Sequence, residues 1–373
     1  MYGRDSESLK PNKTILSLIR EPDQSDNSSL VSIIIPVYNG LKGGVLKCLK
    51  SIVIQKYPNI ELIIVNDNTP DNSMEEITKL LMNANIDYHI YCHEKNQGLS
   101  ATWNDGILHS RGDFILLIQQ DCSLSSSEEI SKAVNFLIKK PDTILIGFQI
   151  VELSVLNLYQ TSFLIRIGEY SQTPKNPGQS VITENKCDMM KREVIERIGE
   201  FDLSLKNIGQ DFIFSKKAIE LGISMEISKS LCYNIEYLGE STLKELVFKE
   251  FRYAKSAYAV FRNWSKSQYL KKVRNSFASL KLRNRIGNII LPLVELFLIA
   301  FYLVTFSGDI IFLLFGNTLI WISLSLLRIK KSLRHLTYHK LSFIIYCAGL
   351  HILLDFVYML GFLIGFYNAI VHE

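Results

Sequence analysis

The stretch NQGLSATWNDGILHSRGDFILLIQQDC, residues 96–122, decides how the rest of the chain is read. Asn96-Gln97-Gly98 is turn chemistry, because Gly allows positive φ and Asn tolerates the left-handed region. Ser100 is placed as the N-cap of a short helix running to His109, and Arg111-Gly112-Asp113 closes it. Phe114, Ile115, Leu116, Leu117 and Ile118 form an unbroken apolar run, the pattern of a parallel strand covered on both faces. Asp121 follows at the strand's carboxyl end, where open α/β sheets bind their ligands. A carboxylate there can reach a divalent metal on a substrate's phosphates.

Upstream, the same grammar repeats. Val31 to Val37 reads as a buried strand containing Pro36, followed by the loop Tyr38-Asn39-Gly40. Val45, Leu46, Leu49, Ile52 and Val53 recur at helical spacing, and Tyr57-Pro58-Asn59 breaks that helix. Ile60 to Val65 is a second apolar strand, ending in the polar loop Asn66-Asp67-Asn68-Thr69-Pro70-Asp71-Asn72-Ser73. Strand, helix, strand, helix with short connections predicts right-handed βαβ units and a mostly parallel sheet.

These loops together resemble those of family 2 glycosyltransferases, which have a Rossmann-like GT-A type domain. Pro36-Val37-Tyr38-Asn39 resembles the family's first signature, and Asn66-Asp67-Asn68-Thr69-Pro70-Asp71 resembles its Asp-Asp-Gly-Ser-x-Asp loop. Asn96, Gly98, Asn104, Gly106, Ile107 and Asp121 match later positions. Gln119 stands where the first Asp of the metal motif would be, Asn66 replaces an Asp, and Trp103 stands where an Arg often precedes Asn104. The resemblance implies that Pro36, Tyr38, Asn39, Asp67, Asn96, Gly98, Asn104, Gln119 and Gln120 hold a nucleotide-sugar donor. It also implies that Asp121 holds Mg²⁺ or Mn²⁺. An aromatic offers a stacking face and a carboxylate accepts from a base N–H; Asp67 is equally placed to cap a helix.

Residues 141–153 supply a further strand, and 171–180 (SQTPKNPGQS) read as a loop able to close over substrate. A helix with Val194, Ile195 and Ile198 leads to Gly199-Glu200-Phe201-Asp202, which is similar to the family's Gly-Gly-Phe-Asp turn. Gly209-Gln210-Asp211-Phe212 opens another helix. The resemblance makes Asp211 the catalytic base, with Gln210 in place of a Glu; a first-turn carboxylate also serves as a helix-dipole partner. Tyr237 occupies a position where the family often has His. His89, His93 and His109 lack metal-ligand spacing, and Cys122 reads as a small packed residue. The six cysteines show no CxxC pair, which fits reduced thiols.

The 373 residues are 47% hydrophobic with net charge +4, and the apolar excess lies mostly after residue 285. Residues 1–30 are polar and read as a flexible arm with one apolar patch at 15–19; no signal peptide is expected. Residues 243–285 interleave aromatic and basic side chains, as basic amphipathic helices on an anionic leaflet do. RNA binding is the rival reading, and the apolar segments that follow argue against it. Those segments, about 289–306, 310–327 and 342–367, approach the ~20 residues needed to span a bilayer. The basic linker 328–334 predicts, by the positive-inside rule, a cytoplasmic N-terminal domain. Glu295, His351 and Asp355 lie inside the apolar runs; the last two share a helix face and can pair. They serve either as polar packing contacts or as contacts to a lipid-linked acceptor.

The expected architecture is therefore an arm (1–30), a cytosolic GT-A domain (31–242), interfacial helices (243–285) and a transmembrane region (286–373). The resemblance implies an integral-membrane, inverting glycosyltransferase using a nucleotide-diphosphate sugar and a hydroxyl of a lipid-linked glycan, with no nucleic-acid partner. A polyprenyl-phosphate acceptor, or an inactive sugar-nucleotide-binding scaffold suggested by Gln119, Asn66 and Gln210, are the alternatives. Phe261-Arg262-Asn263-Trp264 differs from the Gln-x-x-Arg-Trp of processive synthases.

Overall fold

A computed structural model describes residues 29–150, 159, 178–180, 183, 185–205, 209–235, 242–265, 277–305, 308–333 and 341–371. The apolar patch at 15–19, residues 171–177 of the expected closing loop, Tyr237 and Arg334 of the basic linker lie outside the described residues.

The strands are β1 (Val31–Val37), β2 (Ile60–Asn66), β3 (Asp87–Cys92), β4 (Phe114–Ile118), β5 (Cys122–Leu124), β6 (Thr143–Ile150), β7 (Gly178–Ser180), β8 (Cys187–Lys191) and β9 (Ser224–Ile235). They form one sheet in the order β3-β2-β1-β4-β8-β6-β9-β5, with β7 on β9. β3, β2, β1 and β4 are mutually parallel. β8 is antiparallel to both β4 and β6, and β9 is parallel to β6. The fold is thus mixed α/β with mostly parallel strands, and the parallel half is the one the apolar runs announce. Gly178–Ser180, expected in a closing loop, instead pairs antiparallel with β9.

Helices α1 (Gly40–Gly43), α2 (Val45–Val53), α3 (Ser73–Leu81) and α5 (Glu129–Lys139) lie in the domain with α4 (Leu99–His109), α6 (Arg192–Ile198) and α7 (Gln210–Glu220). Alternation along β1 builds two cores. Ile33, Ile35 and Val37 pack with Leu49, Ile52 and Ile77 of α2 and α3. Ile34 packs with Trp103 of α4 and with Val194 and Phe214 of α6 and α7. Trp103, in the place of the family's Arg, is fully buried and tilted against Phe201 at 6.5 Å, so it is a core residue. Gly106 permits this layer: a Cβ there would lie 2.2 Å from Ile34 Cγ2. Ser100 does not cap α4. Gly98, at φ 92, precedes the helix, and the Ser100 hydroxyl donates to Leu205 O at 2.7 Å.

Four long helices follow: α8 (Leu243–Ser265), α9 (Phe277–Thr305), α10 (Gly308–Leu333) and α11 (Leu341–Val371). Over its described side chains, α8 packs apolar residues against α11 while Phe248 stays exposed. Leu246 clusters with Leu350 and Leu354 of α11, and Ala254 is fully buried. Gly361 and Gly365, four apart, allow the close crossing: added Cβ atoms would sit 2.7 Å from Phe251 O and 2.3 Å from Lys255 O. The expected boundary at 285 falls inside α9, which runs through Pro292 without ending.

Gly308–Leu327 (20 residues) and Ile344–Asn368 (25 residues) are long and apolar enough to cross a membrane, whereas Ile289–Thr305 is shorter. Among the described residues, two candidate spans, rather than three, result. Several polar groups between these helices are met by one another. Glu295 accepts from Asn317 Nδ2 at 2.5 Å and Thr318 Oγ1 at 2.9 Å, and Asp355 accepts from Trp321 Nε1 at 2.6 Å. Asp355 thereby bonds across helices, an arrangement that i,i+4 spacing with His351 alone did not suggest. Phe297, Val304 and Phe312 are at least two-thirds exposed, at 67%, 79% and 78%. Large apolar side chains exposed along these helices fit contact with lipid or protein.

Candidate functional site

Four loops gather at the carboxyl ends of β1, β2, β3 and β4, and side chains from each tie down the next. Gln120, just past β4, clamps the first: its Oε1 accepts from Tyr38 N at 3.1 Å and its Nε2 donates to Tyr38 O at 2.7 Å. The Tyr38 ring is left 43% exposed, a usable stacking face. Asn39 sits in the left-handed region (φ 51), and its N–H donates to Thr69 Oγ1 at 2.8 Å.

The second loop is knitted by Asn66 and Asp71. Asn66 Oδ1 accepts from Thr69 N at 2.8 Å, a side-chain-to-backbone bond three residues on that an Asp would also make. Asp71 accepts from Thr69 Oγ1 (2.7 Å), Ser73 N (3.2 Å) and, across to the first loop, Leu41 N (3.2 Å). Burial opposes its ionisation, yet the hydrogen bonds from Ser73, Thr69 and Leu41 outweigh it and hold the carboxyl below its ordinary range.

Asp67 is the post of the third loop. It is buried, with Oδ1 accepting from Gln97 N at 2.7 Å and Oδ2 from Gly98 N at 2.9 Å. Asn96 Nδ2 donates to Asp67 O at 3.4 Å. His93 completes the arrangement, with Nδ1 2.7 Å from Asp67 Oδ1 and Nε2 2.7 Å from Asp105 Oδ2. Neither helix capping nor a base N–H is needed to satisfy this carboxylate; it fixes the Asn96–Gly98 turn. Asp105 and Asp67 together raise the His93 pKa, Asp105 most strongly and against the effect of burial. Because the folded value exceeds the unfolded one, the bridge stabilises fully below about pH 6.5 and is lost as pH rises through the raised value. A titration of the His93 ring by NMR is therefore expected to show a midpoint above 6.5. His93→Gln should remove that step from the pH dependence of thermal stability; a midpoint at or below 6.5 would discard the bridge.

The fourth loop carries Gln119 and Asp121. Gln119 N–H donates to Lys186 O at 2.8 Å, and its Nε2 donates to Asn185 O at 3.3 Å, extending the β4–β8 pairing beyond Ile118 and Cys187. Asp121 is half-buried. Among the described residues its side-chain contacts are Cys122 Sγ at 3.6 Å and its own backbone N–H, so its lone pairs are less consumed than those of Asp67 and Asp71. Burial pushes this carboxyl up, against the field of Lys186 and, more weakly, Lys249. Hard, unspent oxygens at this place fit Mg²⁺ or Mn²⁺ completed by phosphate and water oxygens. Cys122 is fully buried and its thiol is pushed well up, which suits packing and not nucleophilic chemistry.

A second acidic group, Glu61, Asp87 and His89, could hold an ion by spacing. It lies at the opposite, amino end of β2 and β3, and Arg111 already occupies it, with Nε 2.9 Å from Glu61 Oε2 and Nη2 3.1 Å from Asp87 Oδ2.

Asp211 opens α7 behind Gly209 (φ 90), half-buried, with Oδ1 accepting from Phe212 N at 2.9 Å. One turn on, Ser215 Oγ accepts from Thr183 N at 3.0 Å. Thr183 Oγ1 in turn accepts from Asn185 N at 3.0 Å, so α7 is roped to the segment that pairs with Gln119. Asn104 holds the approach to α7: its Nδ2 donates to Phe201 O at 2.9 Å and its Oδ1 accepts from Phe201 N at 2.8 Å.

The structure thus brings Tyr38, Asn39, Asp67, Asn96, Gly98, Gln119, Gln120 and Asp121 into one linked rim. Pro36, buried in β1 opposite Val65, and Asn104, spent on the 199–202 turn, support it from behind. Asp105 and Lys186 were not singled out by sequence, Asp71 was read only as the end of a family-like loop, Lys249 only as one of the basic residues of 243–285, and His93 as an ordinary position without metal-ligand spacing. For His93 a signal existed, since the parallel register Asn66↔Cys92 sets His93 beside Asp67.

Residues 32–199 match the model of the family "Glycosyl transferase family 2". An uncharacterized glycosyltransferase of Haemophilus influenzae is 34% identical over 116 residues, 30% of this chain and 44% of that protein. The uncharacterized glycosyltransferase EpsJ of Bacillus subtilis is 39% identical over 99 residues, 26% of this chain and 28% of that one. The matched stretches therefore span less than half of those relatives. Among solved structures, the mannosyltransferase PcManGT from Pyrobaculum calidifontis, in complex with GDP-Man and Mn²⁺, shares the fold. It is 17% identical, with 90% of each chain covered and a TM-score of 0.57.

Proposed function

We propose, from a glycosyltransferase family 2 domain over residues 32–199, that this protein transfers a sugar from a nucleotide-diphosphate donor to an acceptor at a membrane surface. The observation that carries the reading is the rim itself: four strand-end loops locked together around an exposed aromatic, Tyr38, and an unspent carboxylate, Asp121.

In this reading Tyr38 stacks on the base, and the Asn96–Gly98 turn, fixed by Asp67, shapes the donor pocket. Asp121 would hold Mg²⁺ or Mn²⁺, which when bound supplies positive charge for the departing diphosphate. Asp211 accepts the proton of an acceptor hydroxyl as that oxygen forms its bond to the anomeric carbon. The bond from that carbon to the diphosphate oxygen breaks with its electron pair leaving on the diphosphate. A single displacement inverts the anomeric configuration.

The apolar surface of α9, α10 and α11 supports a bilayer as the partner. α8 joins that bundle to the rim, because Glu245 pairs with Lys42 of α1 at 2.7 Å. A lipid-linked glycan is the acceptor class that such a placement serves.

The test is a thermal-stabilisation screen of detergent-solubilised full-length protein against nucleotide sugars with Mn²⁺, followed by transfer to lipid extracts. One donor is expected to raise the melting temperature and to yield a labelled product in the organic phase. Stabilisation by a donor with no transfer or hydrolysis would convert the reading to a sugar-nucleotide-binding scaffold. No stabilisation by any donor would overturn it.

A further inference from the structure

His93 stands where two parts of the site meet. Its backbone N–H donates to Asn66 O at 2.9 Å, which seats the ring beside the loop after β2. Nδ1 lies 2.7 Å from Asp67 Oδ1, and Nε2 lies 2.7 Å from Asp105 Oδ2 on α4. Ionised carboxylates only accept, and a neutral imidazole has one N–H. Both contacts are therefore hydrogen bonds at the same time only when the ring carries both protons. Asp67 holds Gln97 N and Gly98 N, the turn from which α4 starts at Leu99. Asp105 follows Asn104, whose amide makes two bonds to Phe201, and Phe201 stacks on Phe214 of α7 at 4.7 Å. One buried ring thus ties the Asn96–Gly98 turn to the helix that holds the approach to Asp211.

We propose that His93, as the imidazolium, is a positioning residue for donor binding: it holds the Asn96–Gly98 turn and α4 in the arrangement the donor requires, and its deprotonation releases them. This rests on the glycosyltransferase reading and adds to it a residue and a pH dependence. A neutral ring donates to one carboxylate and turns a lone pair toward the other. The Asp67 side chain is 6% exposed and keeps its bond, whereas that of Asp105, at 41%, is the one that water takes over. α4 then loses its brace about two helical turns beyond Gly98. The turn ahead of it loosens, while Asn104 keeps its own bonds to Phe201. Donor affinity falls as a result, and turnover of the saturated enzyme changes less.

The direction of the pH effect follows from the bridge. Asp105 and then Asp67 keep the ring protonated above its ordinary value, although burial opposes it. Binding is strongest below the raised midpoint and weakens as pH rises through it. By linkage, donor binding in that range takes up a proton onto His93. Among the described residues, the other titratable groups of the surrounding elements are engaged elsewhere. Asp71 accepts from Thr69 and Ser73, and Asp202 accepts from Ser204 N at 2.9 Å. His109 Nδ1 lies 2.8 Å from Asp105 O, with its ring stacked on Tyr91 at 4.0 Å, and burial pushes the Tyr91 phenol up. Cys92 Sγ accepts from Asn66 Nδ2 at 3.7 Å, and Glu94 and Lys95 are exposed.

The probes are UDP-, GDP- and dTDP-sugars, titrated calorimetrically with Mn²⁺ into full-length protein in detergent micelles. The titrations span about pH 6 to 8.5, a window around and above the ordinary histidine value of about 6.5. Wild type is expected to lose about tenfold in affinity for its donor over this range, the scale of a hydrogen bond to a charged group. At the upper end it should take up protons on binding. His93→Gln should show the weaker, alkaline affinity at every pH and no such uptake, with turnover at saturating donor within a few-fold of wild type. Asp105→Asn separates positioning from general stability. An amide at that place donates to Nε2 of a neutral ring whose Nδ1–H still reaches Asp67, so the brace no longer needs the second proton. Its donor affinity should stay high and nearly flat with pH. His109→Gln, which removes the neighbouring imidazole, should keep the wild-type profile. Melting curves establish that each variant is folded; should His93→Gln unfold, Asp105→Asn carries the test. A flat wild-type profile, or a folded His93→Gln or Asp105→Asn that follows the wild-type profile, would overturn the inference and leave the glycosyltransferase reading intact. No binding of any nucleotide sugar at any pH would remove the reading as well.

Discussion

Asp211→Asn is expected to slow transfer by ~10²- to 10⁴-fold while leaving donor affinity unchanged, the cost of losing a general base. An acceptor hydroxyl is a poor nucleophile until its proton is taken, and an amide oxygen at this place cannot take it. The substitution preserves shape. The Asn oxygen can still accept the Phe212 N–H that now reaches Asp211 Oδ1 at 2.9 Å, and the Ser215 tether to Thr183 is untouched. Loss of a carboxylate from the first turn of α7 should cost a few tenths to ~1 kcal/mol of stability, visible as a small fall in melting temperature. Steady-state turnover, measured beside an independent donor titration, separates the two effects. The size of the loss also reports the acceptor. A polyprenyl phosphate is already ionised near neutral pH and needs no base, so a folded variant within a few-fold of wild type would sink the hydroxyl mechanism. The phosphate-acceptor reading would then lead.

The parallel half of the sheet was legible because its strands are buried on both faces. Val31–Val37 and Phe114–Ile118 carry no polar alternation, since α2 and α3 cover one side and α4, α6 and α7 the other. The loops were legible as loops, and their contents less so. Asp67 could be read as facing a ligand or a helix; it faces Gln97, Gly98 and His93, partners that only the β2–β3 register brings within reach. In the mixed half, β5 and β7 are three residues each, too short to show a period. Asp121 is followed at once by one of them.

The C-terminal third was legible in part. Its aromatic and basic composition suits an interfacial helix, and in the structure Leu246 of that helix packs on α11. The signal for that was in the sequence, as two glycines four apart in an apolar run, Gly361 and Gly365, which is how helices approach closely in membranes. Likewise, Glu295, Asn317 and Thr318 read one at a time as isolated polar residues in apolar segments. Paired across α9 and α10, they satisfy one another.

Asp121→Ala should abolish Mn²⁺-dependent donor binding without harming the fold. Burial raises this carboxyl's pKa, so ionisation is disfavoured in the folded state. The sign follows: as pH rises from below the ordinary carboxylate range through the raised value, the ionised group costs stability that the unfolded chain does not lose. At neutral pH the wild type bears that cost, and the alanine variant does not. The free variant is therefore expected to melt at or slightly above the wild-type temperature. Bound ligand reverses the order. A donor at a hundred times its Kd stabilises the wild type by ~2.7 kcal/mol, a rise of roughly 5–10 °C at ~2–4 °C per kcal/mol for a domain of this size. In Asp121→Ala the Mn²⁺-dependent part of that rise should vanish. An alanine variant that keeps the full Mn²⁺-dependent shift would show that the ion is held elsewhere, and the assignment of Asp121 as its ligand would be wrong.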